Sequence, residues 1–460
     1  MYAPLLQRPI TTYAQAEALL LGLVRDDPRP YASHAFEGVR LLLEALGNPQ
    51  QGLPCLHIAG SKGKGSVALM SEALFEAYGI RTATFSSPHL RRWTERFRIA
   101  GRELSEALFL DTVERIRPIL VRVAAHAPER LPSFFDVLCA AALLVFREAD
   151  VELAIIECGL GGRYDATNVI APELCCITSI ELEHTAKLGK DIGSIAAHKA
   201  GIIKPGVPIV CGRMPAQAMT VIAQQARQLQ APQYHCGADF TVETVAGVIQ
   251  DEPEYQSLRY RGSDWRLAFN LSCYGRPMAE NAALALTLLH LHGRGHPGRF
   301  KQPFDSAPGA ACLGNLSLPG RGQILSRQPL ILVDAAHTPE SLALLGQHLE
   351  ALAVKRRQFL VSVTRGKNLQ ALAQLLKSAC RVTVTCVDPL RSMPAEELAA
   401  GLAALCPQLQ MTVIEDPRLA LDAARDGLRP DQSLCLCGSV YLAGFALEQL
   451  AGAPDQRYHQ

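Results

Sequence analysis

The stretch Leu56-His-Ile-Ala-Gly-Ser-Lys-Gly-Lys-Gly-Ser66 decides how this chain folds. It runs from a short apolar segment through a glycine-rich turn into a helical pattern over Val67–Tyr78, and a second strand, Thr82-Ala-Thr-Phe-Ser86, follows at once. Strand, loop, helix and strand in that order open a parallel α/β sheet. Working outward, apolar runs predict strands at Leu153–Glu157, Leu174–Ser179 and Pro208–Cys211, with helices around 134–148 and 191–200. Upstream, residues 14–47 read as helical up to a Gly47-Asn-Pro49 stop. Residues 235–272 alternate polar and apolar positions and predict a small antiparallel appendage, closed by a helix from Glu280 to His292.

Residues 293–318 are rich in Gly, Pro and Ser without apolar periodicity, which predicts a linker. Beyond it, strands are predicted at 330–334, 358–363, 381–387, 411–416 and 433–437, each followed by about ten helical residues, the pattern of a doubly wound sheet. The expected fold is α/β. A P-loop NTPase-like parallel-sheet domain with its antiparallel appendage occupies 1–295, a linker 296–318, and a Rossmann-like α/β domain 319–460.

Bulk properties narrow the function. With 460 residues, 48% hydrophobic and 19% charged, the chain has ample material for buried cores. A formal net charge of +1 gives no electrostatic reason to expect nucleic acid or a membrane surface as partner. No apolar run approaches the ~18 residues a membrane span needs, and Met1–Tyr13 lacks the pattern of a secretory signal. The 14 cysteines include no C-x-x-C pair, and many sit in apolar strands, as Cys175, Cys176, Cys435 and Cys437 do. Reduced core thiols in a cytoplasmic protein are expected, not a disulfide framework or a cysteine zinc centre.

The glycine-rich turn carries the chemistry. Backbone N–H groups of Gly60, Ser61, Lys62, Gly63 and Gly65 would cradle phosphate oxygens at the start of a helix. Lys64 would neutralise phosphate charge, and the Ser66 hydroxyl would reach a magnesium ion. The general pattern G-x-x-x-x-G-K-[ST] is not met, because Ile58 stands at its first glycine and Gly65 separates Lys64 from Ser66. The loop by itself therefore says phosphate without naming a reaction, and a ligand-free glycine turn is the plain alternative.

That Gly65 spacer resembles the folylpolyglutamate synthase/dihydrofolate synthase family of the Mur ligase superfamily. The family's G-T-N-G-K-G-S loop has Ser61 and Lys62 in place of Thr and Asn. Further matching segments follow in order. They are Ser86-Ser-Pro-His89, Glu157-Cys-Gly-Leu-Gly-Gly-Arg-Tyr-Asp-Ala-Thr-Asn168, Glu183-His-Thr-Ala-Lys-Leu-Gly189 and His198-Lys-Ala-Gly-Ile202. Glu280-Asn-Ala282, Leu318-Pro-Gly-Arg321, Asp334-Ala-Ala-His-Thr-Pro339 and Gly438-Ser439 complete the series across most of the chain.

The resemblance implies an ATP-dependent ligase with nucleotide bound in a cleft between its two domains. It would phosphorylate a dihydropteroate or reduced-folate carboxylate, and L-glutamate would attack the acyl phosphate. It also implies roles for residues. Ser66, Ser87, Glu157 and His184 become magnesium contacts; Lys64, Glu157, His184 and Lys199 become the catalytic set, with Lys199 carbamylated. Asn281, Arg321, Asp334 and His337 would join the loop in holding ATP, and Pro88, Arg163 and Asp165 would meet the pterin. A monomer is implied as well. Without the resemblance, Glu157 reads as a strand-end carboxylate, His184 as an ordinary histidine, Lys199 as a surface lysine, Asp165 as a turn cap and Arg321 as an exposed linker residue.

Some motifs depart from the family. Asp-Gly-Ala-His-Asn-Pro has become Asp334-Ala-Ala-His-Thr-Pro339, Asp-Lys-Asp has become Gly366-Lys-Asn368, and Leu-Asp-His has become Leu182-Glu-His184. The usual Phe-Glu pair is Phe135-Asp136, and the His-Gln before Asn-Ala is missing around Pro277-Met278. Substrate and nucleotide contacts are where these changes bear. Two alternatives stand beside the folate ligase: a Mur-type amide ligase for another carboxylate, and a nucleotide-binding regulator without turnover. A cell-wall Mur ligase is disfavoured, since the loop begins only sixty residues in and leaves no room for that enzyme's extra N-terminal domain.

Overall fold

A computed structural model describes residues 6–24, 36–245, 255–301 and 307–450. The chain forms two compact units. The first holds the segment up to Val245, Leu258–Asn270 and Pro277–Gly314; the second includes Leu271–Arg276 and the chain from Asn315 onward.

The first unit is built on strands β1 (Cys55–Ala59), β2 (Thr82–Phe85), β3 (Phe97–Ile99), β4 (Arg102–Glu103), β5 (Leu153–Glu157), β6 (Leu174–Ile177), β7 (Ile209–Cys211) and β8 (Gln233–His235). They form one sheet in the order β4-β3-β2-β5-β1-β6-β7-β8. β2, β5, β1, β6, β7 and β8 run parallel, while β3 and β4 pair antiparallel at one edge. Strands β1, β2, β5, β6 and β7 are buried at every residue, as expected for a sheet covered on both faces. The order places the ends of β1, β2, β5 and β6 side by side, so the loops that follow them share one edge.

The predicted β1–helix–β2 opening is present, with its helix at Lys64–Ala77. The strands at β5, β6 and β7 and the helices Phe134–Glu148 and Ile192–Ala200 also fall where the sequence placed them. The helical stretch expected over 14–47 comprises two helices, Tyr13–Gly22 and Glu37–Ala45; part of the segment between them lies outside the described residues. Helix Glu106–His126 and the β3–β4 edge were not foreseen. Pro118 sits inside that helix, and proline is a residue that normally argues against one.

The antiparallel appendage is a three-stranded sheet of β9 (Thr241–Thr244), β10 (Gln256–Arg261) and β11 (Arg266–Leu271). The helix after it spans Arg276–Gly295, longer than expected at both ends. The expected linker contains a helix, Ala307–Gly314, which packs on helix Lys64–Ala77 and brings Gly309 beside Leu74 and Tyr78. Small residues hid it: Ala-Pro-Gly-Ala-Ala has no apolar periodicity, yet small side chains allow close approach to a neighbour.

The second unit has β12 (Gln323–Arg327), β13 (Leu330–Val333), β14 (Arg356–Val361), β15 (Ala379–Val384), β16 (Met411–Val413) and β17 (Gln432–Cys437). Their order is β12-β13-β17-β14-β15-β16, parallel except for β12. Helices follow β13, β14, β15, β16 and β17 in turn, as the strand-helix repetition predicted.

At the end of β13, the Asp334 carboxylate accepts hydrogen bonds of 2.6 Å from Gly322 N–H and from Ala336 N–H, tying its own turn to the preceding loop. Ala335 has no positive φ, so the turn does not need the family's glycine. Thr338 caps helix Pro339–Ala351 through a capping box with Ser341, work that Thr does as well as Asn. Desolvation pushes the Asp334 pKa up to about 6, against the opposing pull of the Arg321 guanidinium and the two N–H donors. An acid whose folded pKa lies above its unfolded value of 3.8 binds the extra proton in the native state. Stability then falls as pH rises through that window and levels off above it. In parallel urea titrations, the native protein should lose on the order of 2 kcal/mol relative to Asp334→Asn between the two pKa values. Two stability curves that stay parallel through the window would contradict this account of the turn.

Candidate active site

The loop after β1 is fastened to the segment after β6. Ser61 N–H donates to Ser179 O at 2.8 Å, Lys62 N–H to Ser179 Oγ at 2.9 Å, and Glu181 N–H to Ser61 Oγ at 2.9 Å. Thr178 Oγ1 donates to Lys62 O at 2.5 Å. The family's Thr-to-Ser change at position 61 therefore keeps the hydroxyl that grips Glu181. Thr178 and Ser179 were missed by sequence reading; the polar pair directly after an apolar strand was the available signal.

The glycines are there for close approach. A Cβ on Gly60 would lie 1.9 Å from Thr178 Oγ1, and one on Gly63 would lie 2.5 Å from Asn281 Oδ1. Asn281, on helix Arg276–Gly295, is thus packed on the loop itself. A Cβ at Gly65 would stand 3.4 Å from Glu157 Oε2, an ordinary contact distance, so this position sets the first helical turn beside that buried carboxylate. The first intrahelical bond is Val67 N–H to Gly63 O, so the N–H groups of Lys64, Gly65 and Ser66 belong to the open end of the helix.

Two lysines converge on one carbonyl. Lys64 Nζ and Lys199 Nζ each donate to Gly60 O at 2.9 Å, and Lys64 Nζ also reaches Ser61 O at 3.4 Å. Lys199 is 1% exposed, from helix Ile192–Ala200, and its ammonium pairs with Glu183 Oε1 at 3.0 Å. Burial holds the Lys199 pKa below the usual lysine range, and Lys64 lowers it further; Glu183 acts in the opposite sense. The Glu of Leu182-Glu-His184, where the family has Asp, is thus the counter-charge of Lys199.

Glu157, at the end of β5, is buried and accepts a 2.9 Å hydrogen bond at Oε2 from Ser87 N–H. Arg96 is a further member that sequence reading did not single out. Burial pulls its pKa down to about 10, with Glu157 and then Glu95 opposing, and its Nε donates to His89 Nδ1 at 2.9 Å. No motif announces it, because it lies within the charged run Arg91–Arg98. His184 is exposed and adopts a left-handed conformation (φ 47°) at the start of a short helical turn. Desolvation keeps it below the usual histidine pKa; Glu183 opposes, and Lys199, Lys64 and Lys62 add to the lowering. The loop Gly60–Ser66 with Ser87, Glu157, His184, Lys199 and Asn281 therefore forms one constellation in the first unit.

Asp165, expected on the pterin side, is turned into its own loop in this structure. It is 2% exposed and accepts from Leu160 N–H at 2.7 Å, Thr167 N–H at 3.0 Å and Thr167 Oγ1 at 2.5 Å, capping the turn Ala166–Val169. Beneath it, Thr167 and Cys158 meet the buried His57, whose pKa falls to about 3 by desolvation, so this cluster is neutral packing. Pro88 and Arg163 are both exposed on the loops after β2 and β5. Asp136 forms a capping box with Ser133 at the start of helix Phe134–Glu148. In the second unit, Arg321 is exposed on the loop tied down by Asp334, and His337 Nδ1 lies 2.9 Å from Ala335 O. All 14 cysteines are free, with 11 of them buried, as the composition predicted.

Residues 320–440 match the family described as Mur ligase, glutamate ligase domain. The chain is 30% identical over 412 residues to the folylpolyglutamate synthase of Lacticaseibacillus casei, covering 89% of this chain and 93% of that one. It is 32% identical over 407 residues to the dihydrofolate synthase/folylpolyglutamate synthase of Mycobacterium tuberculosis, covering 84% and 81%. It spans about half (46%) of a probable bifunctional folylpolyglutamate synthase/dihydropteroate synthase from Halobacterium salinarum, at 31% identity and 84% coverage of this chain. In structure it superposes on the Mycobacterium tuberculosis folylpolyglutamate synthase complexed with ADP and AMPPCP with a TM-score of 0.83, at 30% identity, over 96% of this chain and 99% of that one. The order of strands, the stitched glycine loop and these likenesses agree: the chain belongs to the folylpolyglutamate synthase/dihydrofolate synthase family of Mur-type ligases.

Proposed function

We propose that this chain is an ATP-dependent ligase that joins L-glutamate to dihydropteroate or a reduced folate, releasing ADP and phosphate, in folate biosynthesis and polyglutamylation. The observation that carries the proposal is the convergence of the Lys64 and Lys199 side chains on the Gly60 carbonyl, with the buried Glu157 carboxylate beside the same loop. A carboxylate is a poor electrophile. Its oxygen attacks the γ-phosphorus, ADP leaves, and the glutamate amine then attacks the acyl phosphate with loss of phosphate and a proton. Charge accumulates on the transferring phosphoryl group, so catalysis here is mostly positioning and electrostatic stabilisation.

In this reading the open N–H groups of Lys64, Gly65 and Ser66 hold the β- and γ-phosphates, and Lys64 turns its ammonium onto them. Glu157, Ser66, Ser87 and His184 suit a magnesium ion: the buried carboxylate and hydroxyl oxygens are the donors it prefers, and it keeps several waters. Magnesium bound there would offset phosphate charge. Asn281 fixes the loop at Gly63 and borders the nucleotide. On the region 319–460, the exposed Arg321 is assigned to nucleotide phosphates, with Asp334 holding its loop and His337 the adjoining turn. Pro88 and Arg163 are assigned to the pterin side.

The proposal includes a carbamylated Lys199. Its low exposure and lowered pKa supply the free amine that adds to CO2, forming an N–C bond and releasing a proton. Lys64, on the same carbonyl, would balance the resulting anion, while Glu183 (18% exposed side chain) would turn outward. With 13C-bicarbonate, a carbamate resonance should appear, strengthen as pH rises through neutrality and vanish in Lys199→Ala. A spectrum without it at any pH would leave Lys199 as a permanent ammonium.

Two further measurements test the ligase reading. Lys64→Ala should lower glutamate-dependent phosphate release by about 10²–10³-fold, with an unchanged unfolding temperature; full activity would refute the loop assignment. Dihydropteroate and a tetrahydrofolate should both support turnover. ATP binding without turnover on either would favour a regulator or a ligase for a different carboxylate.

A further inference from the structure

Glu173 precedes β6, and the parallel register of β1 with β6 puts it at the edge of the sheet opposite the phosphate loop. The long helix Arg276–Gly295 carries Asn281 against Gly63 near its start and brings His292 to Glu173 near its end. His296, four residues on, completes a group of one carboxylate and two imidazoles whose donor atoms all lie within 4.8 Å of one another.

The details fit a shared cation. His292 Nδ1 lies 3.3 Å from Glu173 Oε2, the separation of about 3.3 Å that two donors bound at ~2.0–2.1 Å to one tetrahedral zinc-type ion would have. His296 Nδ1 is 3.3 Å from the His292 carbonyl, which can only accept, so the proton sits on Nδ1 and the lone pair on Nε2. That Nε2 faces Glu173 Oε1 at 3.8 Å. A histidine whose other nitrogen donates to a backbone carbonyl is the usual arrangement behind a metal. The His292 side chain is 0% exposed, and its Nε2 has no hydrogen-bond partner among the described residues.

An ion-pair cluster without metal is the competing description. Arg299 Nη1, however, already lies 3.0 Å from both Glu173 oxygens. Arg299 thus answers the Glu173 charge, and His292, packed against Phe75 and Phe300, is left with neither ring nitrogen hydrogen-bonded among the described residues. A carboxylate has about four lone-pair sites, so Arg299 can remain as its outer partner while an inner site takes an ion. His296 and Glu173 are 35% and 21% exposed, which leaves a side open to water as fourth ligand.

We propose that Glu173, His292 and His296 bind a divalent transition ion of zinc type, clasping the end of helix Arg276–Gly295 to the entry edge of the sheet. Two imidazoles and one carboxylate select such an ion over magnesium, which prefers all-oxygen sites. The role is structural and independent of the ligase reading.

The test uses the full chain stripped with chelator, with Co²⁺ alone as optical probe and Zn²⁺ alone in thermal unfolding. The native chain should give cobalt d–d absorption at one equivalent, and Zn²⁺ should raise its unfolding temperature by several degrees. His296→Ala, a part-exposed change, should lose both effects while keeping the metal-free unfolding temperature and ligase turnover. Glu173→Gln should weaken the absorption, and Glu157→Gln, at the other edge, should leave it intact. No cobalt absorption in the native chain, or absorption that survives in His296→Ala, would overturn the proposal.

Discussion

The rest of the site depends on one crowded point: two lysine ammonium groups donate to the same Gly60 carbonyl at 2.9 Å. Cations this close repel strongly once water is excluded. Glu183 pairs with Lys199, and the buried Glu157 carboxylate lies beside the first turn of the helix that carries Lys64. In the proposed reading Lys64 is the cation that meets the phosphates, while Lys199, once carbamylated, no longer competes with it for the Gly60 carbonyl.

Holding that point in place requires a rigid loop, and the rigidity comes from the neighbouring strand. Thr178, Ser179 and Glu181 use backbone and hydroxyl groups to fix Ser61 and Lys62. Gly60 and Gly63 let Thr178 and Asn281 come within contact distance. Each glycine thus answers to a different neighbour. The Lys62 side chain takes no part in this fastening, and nothing in the structure explains why a lysine stands where the family has asparagine.

Much of this was legible in the sequence. The strand–loop–helix opening, the parallel strands and the repeating second sheet follow from apolar periodicity, a local property. The reduced cysteines followed from composition. What was illegible depends on tertiary placement. Helix Ala307–Gly314 is made of small residues whose helicity comes from packing on its neighbour, so it read as linker. Arg96 matters through burial near Glu157, which no spacing encodes. Asp165 could be read from its motif as a ligand contact, but only coordinates show both its oxygens taken by its own loop. The cysteine pattern gave no reason to look for a transition metal, because the three donors at Glu173, His292 and His296 come together only through the fold.

The central claim is that this loop transfers a phosphoryl group to a substrate carboxylate. It is tested most directly by following oxygen. With the γ-glutamyl or pteroate carboxylate labelled with 18O, amide formation through an acyl phosphate must leave one labelled oxygen in the released inorganic phosphate. The account predicts that transfer, dependent on glutamate for net product. Amide product accompanied by unlabelled phosphate, or label recovered in AMP, would contradict it.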